Sequence, residues 1–588
     1  MTQKWMIKNK ADDFAAICEE QGISEVTARL LVNRGLDSKP KRDAYLHPSL
    51  ENGLNPAPLL LHAGEAAALL HKKVREGKQI RIIGDYDVDG IVSVYVLFQT
   101  LRQAGGRVDY RIPDRVKDGY GMNDAMVREA ICDGVDTIVT CDNGIAALEP
   151  IRHAKEAGLT VVLTDHHEIG TQKTEAGEQQ VLPDADVVVN PKQWGETTPQ
   201  TEICGAVVAF KVMQCFAELS GISGQRMLRL LPYLAMATVC DVMELIGENR
   251  AIVILGLRAI QSCQEVGLRA LIRQNRLEPE QLTAYHIGFV LGPCLNASGR
   301  LDTAKKGLEL LLEERPAQAE RLAAEVTQLN QTRKDMTARC VEQAVALVEE
   351  RQQLERVLVL FLPDCHESLA GIVAGRIRER YYRPTIVLTR AEGCVKGSGR
   401  SIEGYSMFEE ISRCRELLTR FGGHPMAAGM SLPEEHVEAF REKLNALCTL
   451  TGEDLTERLS IDVVLPFGLV TEQLVAELRL LEPFGKGNAK PMFAERKVRV
   501  LRAALLGRNA NVLKLQLENS FGRRYSAVYF GDIPTFEETM TAAFGAEQLQ
   551  RMFQGRENTV TFSMIYYPEK NEYAGNTELQ AVMLYYMV

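Results

Sequence analysis

Apolar residues in the first half of the chain come in short runs separated by stretches of helical periodicity. "QIRIIG" (79–84) is β-branched and apolar, and "IVSVYVLFQTLRQAG" (91–105) follows it at helical spacing. "DTIVTC" (136–141) leads into "AALEPIRHAKEAG" (146–158), and "LTVVLT" (159–164) opens the next unit. Strands that are apolar without alternation have both faces covered, so the pattern predicts a doubly wound parallel α/β domain over 56–302. Before it, 1–55 reads as a helical segment, with Ser24 an N-cap and Gly35 a stop. A long, charged helical stretch over 303–353, capped by Asp302, predicts a helix bridging two lobes. "VLVLFL" (357–362) and "PTIVLT" (384–389) predict strands of a second α/β domain over 354–450. Over 451–588, "KVRVLRAALLG", "VLKLQLEN" and "YSAVYF" predict a small all-β barrel or sandwich.

Four polar clusters interrupt this pattern where apolar runs end. They are "GDYDVDG" (84–90), "CDNG" (141–144), "TDHH" (164–167) and Asp241 in "TVCDV" after a helical approach. The spacing of Asp85, Asp87 and Asp89 resembles the start of a calcium-binding EF-hand loop. That loop needs an entering helix and a bidentate Glu at its twelfth position, which here is Val96 after a strand. In an open parallel sheet the loops at the carboxyl ends of strands share one crevice, so the clusters are expected to converge. Two carboxylates ~4 Å apart repel by about 4 kcal/mol at an effective dielectric near 20. Five gathered together must take up protons or hold a cation. Carboxylates with imidazole and no thiolate suit manganese or magnesium, and the number of groups suits two ions, the arrangement used on phosphate esters. Taken singly the groups have plainer readings: Asp89 or Asn143 as a helix N-cap, a histidine beside a strand as a core residue.

Composition narrows the partners. The chain has 588 residues, 46% of them apolar and 25% charged, which implies several ordinary globular domains. No secretory signal and no membrane-spanning run is evident, and the 13 scattered cysteines form no C-x-x-C pair, so reduced thiols in a cytoplasm are expected. A net charge of −10 argues against nucleic-acid binding by bulk charge and leaves a local basic cleft open.

The four clusters resemble the motifs of the DHH phosphoesterases. "IPDRVKDGYG" (112–121), "LGPCLNASGR" (291–300), "GIVAGR" (371–376), "GSGRS" (397–401), "GGHPMAAG" (422–429) and "LEPFGKGNAKPMF" (481–493) are similar, in order, to the single-strand-specific DNA exonucleases of that family. The resemblance implies a DHH domain, a connecting helix, a DHHA1-type domain and a C-terminal OB-fold. It implies 5′→3′ hydrolysis of single-stranded DNA to 5′-mononucleotides, with two Mn²⁺ or Mg²⁺ ions, in DNA repair and recombination. Asp87, Asp89, Asp142, His166 and Asp241 would be the ligands, with Asp142 bridging and Asp85 and Asp165 orienting them. His167 would face the scissile phosphate, and water activated by the ions would attack with no covalent intermediate. Two departures stand out: Ile83, where many relatives carry a histidine, and Cys294, where an arginine is usual.

Further contacts follow from the same likeness. "KGSGRS" and "FGGHPMAAG" read as glycine-dense turns whose N–H groups form anion-binding nests beside Ser398, Arg400 and His424. Ser398 and Arg400, with Arg115, would seat the 5′ phosphate, while Asn296, Arg300 and Arg376 are further phosphate contacts. In the OB-fold, Arg508, Arg523, Arg524 and Tyr525 are candidate strand contacts. Helicases and single-strand-binding proteins are the partners the family suggests. The competing functions are a DHH phosphodiesterase acting on short oligonucleotides or small nucleotides, and a non-catalytic DNA-binding scaffold of the same fold.

Overall fold

The computed structural model describes residues 3–588 apart from 116, 117, 120, 175, 176, 352, 392, 508, 574 and 575. Arg508, a candidate strand contact, therefore lies outside the described residues. The chain divides into two compact units, one of residues 49–457 and one of residues 3–48 with 458–588.

The first unit is built on a five-stranded parallel sheet in the order Arg107–Arg111, Gln79–Ile83, Thr137–Cys141, Thr160–Thr164, Val187–Val189. The chain starts in the middle, adds one strand to one side and then builds to the other. The reversal falls between Gln79–Ile83 and Thr137–Cys141, and crevices form at such switch points. Ile80, Ile82, Val139 and Val162 are fully buried on the face that packs against helices Ala63–Arg75, Val88–Gln103 and Gly205–Ser220. Ile83, Ile138 and Val161 fill the opposite face, so the side chain at residue 83 is core.

The bridging helix runs Pro316–Glu349, later than its sequence suggests. Asp302 is not its N-cap: it terminates helix Gly292–Leu301, and a separate helix, Lys305–Leu312, intervenes. Pro316 sits in the first turn, where a missing N–H costs nothing, and sets the true start. Its first half gives Ala319, Leu322, Ala323 and Val326 to the first lobe's core. Its second half gives Cys340, Ala344 and Val348 to a core with Leu358, Leu360 and Val373 in the second lobe. One rod is thus shared by two cores.

The second lobe's sheet has the order Arg420–His424, Ala427–Leu432, Cys394–Arg400, Thr385–Ala391, Leu358–Phe361, parallel only at the last pair. This corrects the expected turns. "KGSGRS" and "FGGH" are strands whose backbone groups pair with neighbouring strands rather than forming nests. Gly399 serves packing, since a Cβ there would lie 2.9 Å from Met407 Sδ.

The second unit holds a closed barrel. Phe493–Leu506 pairs with both Val512–Glu518 and Thr561–Tyr573, and Arg524–Tyr529 and Asn576–Met587 complete the ring. It is not purely β, because helices Ile533–Phe544 and Ala546–Phe553 stand between two of its strands. The N-terminal residues do not form a segment of their own: Leu30, Leu31 and Tyr45 share one core with Leu474, Leu478 and Leu481. Ser24 caps its helix as expected, and Gly35 follows the helix end with φ 77°. Glu477 ties the parts together, accepting from Ser24 N (2.9 Å), Ser24 Oγ (2.5 Å) and Thr27 Oγ1 (2.7 Å).

Among the described residues no single helix is long and apolar enough to cross a membrane. A bent pair, Gly247–Ser262 with Val266–Gln274, passes by length and composition, and its Ile252, Val253, Leu268 and Leu271 belong to the first lobe's core.

Replacing Glu477 by Ala strands these donors and is expected to destabilise the second unit by about 2–3 kcal/mol. Urea unfolding followed by Trp5 fluorescence, in a Trp194→Phe background, should shift to lower urea. An unshifted midpoint would refute the tie.

Candidate active site

The sheet's reversal point gathers the four clusters. Asp85 and Asp87 follow strand Gln79–Ile83, and Asp87 caps helix Val88–Gln103 by accepting from Gly90 N at 3.1 Å. Gly90 is required by space: a Cβ there would lie 2.5 Å from Asp85 O. Asp89 is not the cap of its own helix. Its two oxygens accept from Gly205 N (2.6 Å) and Ala206 N (2.9 Å), so it sits at the positive end of helix Gly205–Ser220. Asp142 follows strand Thr137–Cys141 with a left-handed backbone, φ 58°, a conformation that non-glycine residues adopt mainly where surroundings enforce it. Gly205 lies against it, and a Cβ there would come within 2.8 Å of Asp142 Cβ. Asn143, read as a possible cap, is a buried cross-tie: its Nδ2 donates to Ile83 O (3.1 Å) and Cys141 O (2.9 Å), and its Oδ1 accepts from Met122 N.

Three groups of ligand atoms form, each with all its atoms within 4.8 Å of one another: Asp85, Asp87 and Asp142; Asp142, His166 and His167; Asp89, His166 and Asp241. Asp142 belongs to two of them, and so does His166. His166 Nε2 lies 3.2 Å from Asp142 Oδ1 and 3.7 Å from both Asp89 Oδ2 and Asp241 Oδ2. Despite that proximity it makes no hydrogen bond, and Asp85 Oδ1 is likewise buried without one. Bare donor atoms turned toward each other in a buried site are what a hard cation requires. Cys141, Cys204 and Cys240 stand close by. Burial and the neighbouring carboxylates push their thiols up, so they offer no thiolate.

The charges are poised accordingly. Burial, then Asp87, pushes Asp85 up to about 8, and burial also raises Asp87 and Asp142. Burial lowers His166, leaving its imidazole neutral. Burial opposes protonation of His167 too, but the hydrogen bond and charge of Asp165, aided by Asp241 and Asp89, outweigh it and raise the group to about 9. Asp165 holds the histidine pair in place: Oδ1 accepts from His167 Nδ1 (2.7 Å), His166 N (2.7 Å) and His167 N (3.1 Å), while Oδ2 accepts from Ile145 N (2.9 Å).

A cavity of about 560 Å³ opens beside Tyr86, between the first and second lobes of this unit. Arg115, Arg300, Ser398 and Arg400 line it. Arg400 Nη1 donates to Ser398 Oγ (3.1 Å) and Gly399 O (2.8 Å). Burial, then Arg378 and Arg115, holds Arg400 below its usual range, and burial with Arg115 and Arg333 brings Arg300 to about 10. Among the described residues no carboxylate forms an ion pair with Arg115, Arg300 or Arg400, and Glu367 in the lining is held by Lys396 at 2.8 Å. Unmatched guanidinium charge in a half-closed cavity suits an anion. Gly371 admits the two key side chains, since a Cβ there would lie 2.7 Å from Arg400 Nη2 and 2.9 Å from Ser398 Oγ.

The other expected contacts are divided. Arg300 donates to Ser368 O at 2.6 Å, which joins the lobes as well as lining the cavity. Asn296 is half-buried on helix Gly292–Leu301, Arg376 is exposed, and His424 ends an exposed strand; none of these three lines the cavity. Cys294 is fully buried with its Sγ 3.2 Å from Val290 O, so residue 294 makes no phosphate contact. Tyr525 does not face a strand: it is buried, donates to Glu495 at 2.5 Å and stacks on Phe467. Arg524 pairs with Glu518 at 3.1 Å, and Arg523 is exposed. The sequence reading missed Gly205 and Gly371 and took Asn143 for a cap, because tight approach and buried cross-ties leave no periodic signal.

Known proteins agree with this architecture. The profile of the DHH family, N-terminal domain, matches residues 79–238, the DHHA1 domain matches 354–450, and the RecJ OB domain matches 461–584. The single-stranded-DNA-specific exonuclease RecJ of Bacillus subtilis is 36% identical over 521 residues, covering 88% of this chain; the chain spans 64% of that protein's length. RecJ of Salmonella typhimurium is 33% identical over 528 residues, covering 86% of this chain and 88% of that one. The crystal structure of Thermus thermophilus RecJ in complex with Mn²⁺ superimposes with a TM-score of 0.80 at 26% identity, covering 100% of this chain and 80% of that one. Three domains in register, over nearly the whole sequence, establish that the chain belongs to the RecJ family, the single-stranded-DNA-specific exonucleases among the DHH hydrolases.

Proposed function

We propose that this chain removes 5′-mononucleotides stepwise, 5′→3′, from single-stranded DNA, using a pair of divalent cations, Mn²⁺ or Mg²⁺. The observation that carries the reading is Asp142, whose carboxylate belongs to two ligand groups at once while its backbone is held in a left-handed conformation. Asp87, Asp89, Asp142, His166 and Asp241 would hold the cations, with Asp85 beside them; the bare His166 Nε2 and Asp85 Oδ1 fit that use. Cations bound there polarise a phosphodiester and acidify a water for in-line attack.

The protein's own groups do the rest. Asp165 fixes His167 through its Nδ1 and, before cations bind, holds that imidazole up at about 9. The imidazole is suited to balance charge developing on the phosphate or to give a proton to the departing oxygen. Ser398, Arg400 and Arg115, which line the cavity, would seat the terminal phosphate, and a seat for that group would set polarity. The barrel would hold the strand between cuts, acting in repair and recombination in a cytoplasm beside a helicase and a single-strand-binding protein.

End-labelled single strands with Mn²⁺ test the reading. A 5′ label should leave first as mononucleotide, a 3′ label last, and a blunt duplex should resist; early release of the 3′ label would overturn the polarity. Asp142→Ala should lower turnover at least ~10³-fold while strand binding persists, whereas wild-type turnover would dismiss the metal assignment.

Proton linkage gives a second check. Asp85, Asp87 and Asp142 have raised values in the fold, so ionising them destabilises the metal-free protein as pH rises from the ordinary carboxylate range toward 8. Cations remove that strain by displacing protons. Added Mn²⁺ should therefore raise the melting temperature more at pH 8.5 than at pH 6, with net proton release at pH 7. Equal shifts would count against these carboxylates.

Arg400→Ala should weaken the preference for 5′-phosphorylated over 5′-hydroxyl ends by roughly tenfold, about one charge-assisted hydrogen bond. Unaltered end preference would remove Arg400 from the phosphate seat.

A further inference from the structure

The residues from Ala284 to Leu301 form one helical run, α at Ala284–His286, π at Ile287–Leu291 and α again at Gly292–Leu301. Single π turns are rare and concentrate at functional sites. The inner side of the run lies on the end of helix Leu231–Cys240. A Cβ at Gly288 would lie 3.2 Å from Val239 Cγ1, one at Gly292 would meet Cys240 Sγ, and that sulfur is 3.9 Å from Ile287 O. The next residue is Asp241. Farther along, Gly299 lets Tyr86 O approach, 2.7 Å from where its Cβ would stand. The run therefore borders two of the loops that carry the acidic cluster.

Its outer side is apolar and open. Tyr285 and Phe289 are 64% and 63% exposed, with ring centroids 4.9 Å apart and planes 25° from parallel. Val242, directly after Asp241, is 61% exposed at φ 56°, which a β-branched residue rarely adopts. Core packing accounts for none of the three. Flat apolar surface kept open at the margin of a polar site marks contact with a ligand that has flat apolar faces of its own.

We infer that Tyr285 and Phe289 are a stacking platform for unpaired bases of the substrate strand beside the bond being cut. The inference rests on the exonuclease reading given above. Gly288, between the two rings in sequence, packs on Val239, so the platform stands on the turn that touches the end of helix Leu231–Cys240, just before Asp241. Stacking holds any base, so the platform fits an enzyme that must advance through every sequence. It also favours single strands, since a base within a duplex has its faces covered by its neighbours. The positions are positioning residues, acting on the strand and not on the reacting atoms.

The test pairs the protein change with a substrate change. KM and kcat are measured on 5′-phosphorylated oligonucleotides, intact or with one abasic site at the second, third or fourth nucleotide, and 2-aminopurine at the same positions reports stacking in metal-free protein. Tyr285→Ala with Phe289→Ala should raise KM roughly 10- to 100-fold, with kcat within a few-fold. One abasic position should penalise wild type similarly and the double variant not at all, and Tyr285→Phe should restore wild-type KM. Aminopurine quenching should vanish only in the double variant. A KM within twofold of wild type, or an abasic penalty equal in both proteins, would overturn the platform and point to a protein partner as its occupant. Failure of wild type to hydrolyse any strand would instead defeat the exonuclease reading, and the quenching result would still decide the platform.

Discussion

Mutual repulsion among buried carboxylates is the constraint around which the first unit is organised. Asp85, Asp87, Asp89 and Asp142 are brought together from two strand ends, with Asp241 from a helix end, and burial already disfavours the charge of Asp85, Asp87 and Asp142. Such a cluster does not arise from core packing, since every principle of burial opposes it. It persists because the surrounding scaffold is rigid: a fully buried parallel sheet, a helix N-terminus aimed at Asp89, and Asn143 lashing two strands together. Asp142's unusual backbone is part of the same bargain, strain kept in place by Gly205 pressed against it.

A second, oppositely charged region answers the first. Arg115, Arg300 and Arg400 crowd a cavity bordered by Tyr86, the residue between Asp85 and Asp87. Acidic and basic clusters that would neutralise each other if merged are instead held apart by the fold. A phosphate-bearing polymer, with cations on one side and guanidinium groups on the other, satisfies both. The chain's net charge of −10 conceals this arrangement, which is local and depends on which residues the two lobes turn inward.

The sequence was legible where a residue's role coincides with its position in a regular pattern. The parallel strands and the acidic loops at their ends follow from apolar runs and from polar groups placed where those runs stop. Two kinds of feature were not legible. Glycines were read as turns in "KGSGRS" and "FGGH" because glycine's backbone freedom is its better-known property; here they are strand residues, and Gly399 makes room for Met407. Amphipathic tyrosine is ambiguous in the same way, and Tyr525 turned inward because Glu495 and Phe467 offered its hydroxyl and its ring better company than solvent. The long helix began late because charge content marks solvent exposure and not a boundary, whereas Pro316 marks the boundary.

That helix carries an arithmetic consequence. Its two ends are embedded in different hydrophobic cores, Val326 in one and Cys340 in the other, so the stretch between them works as a fixed spacer. Inserting or deleting a single residue there would turn one lobe about 100° against the other and shift it by ~1.5 Å along the axis. The arginine-lined cavity would be dismantled without touching one of its side chains. Surface loops elsewhere can drift in length over generations; this segment can change its letters but not its count.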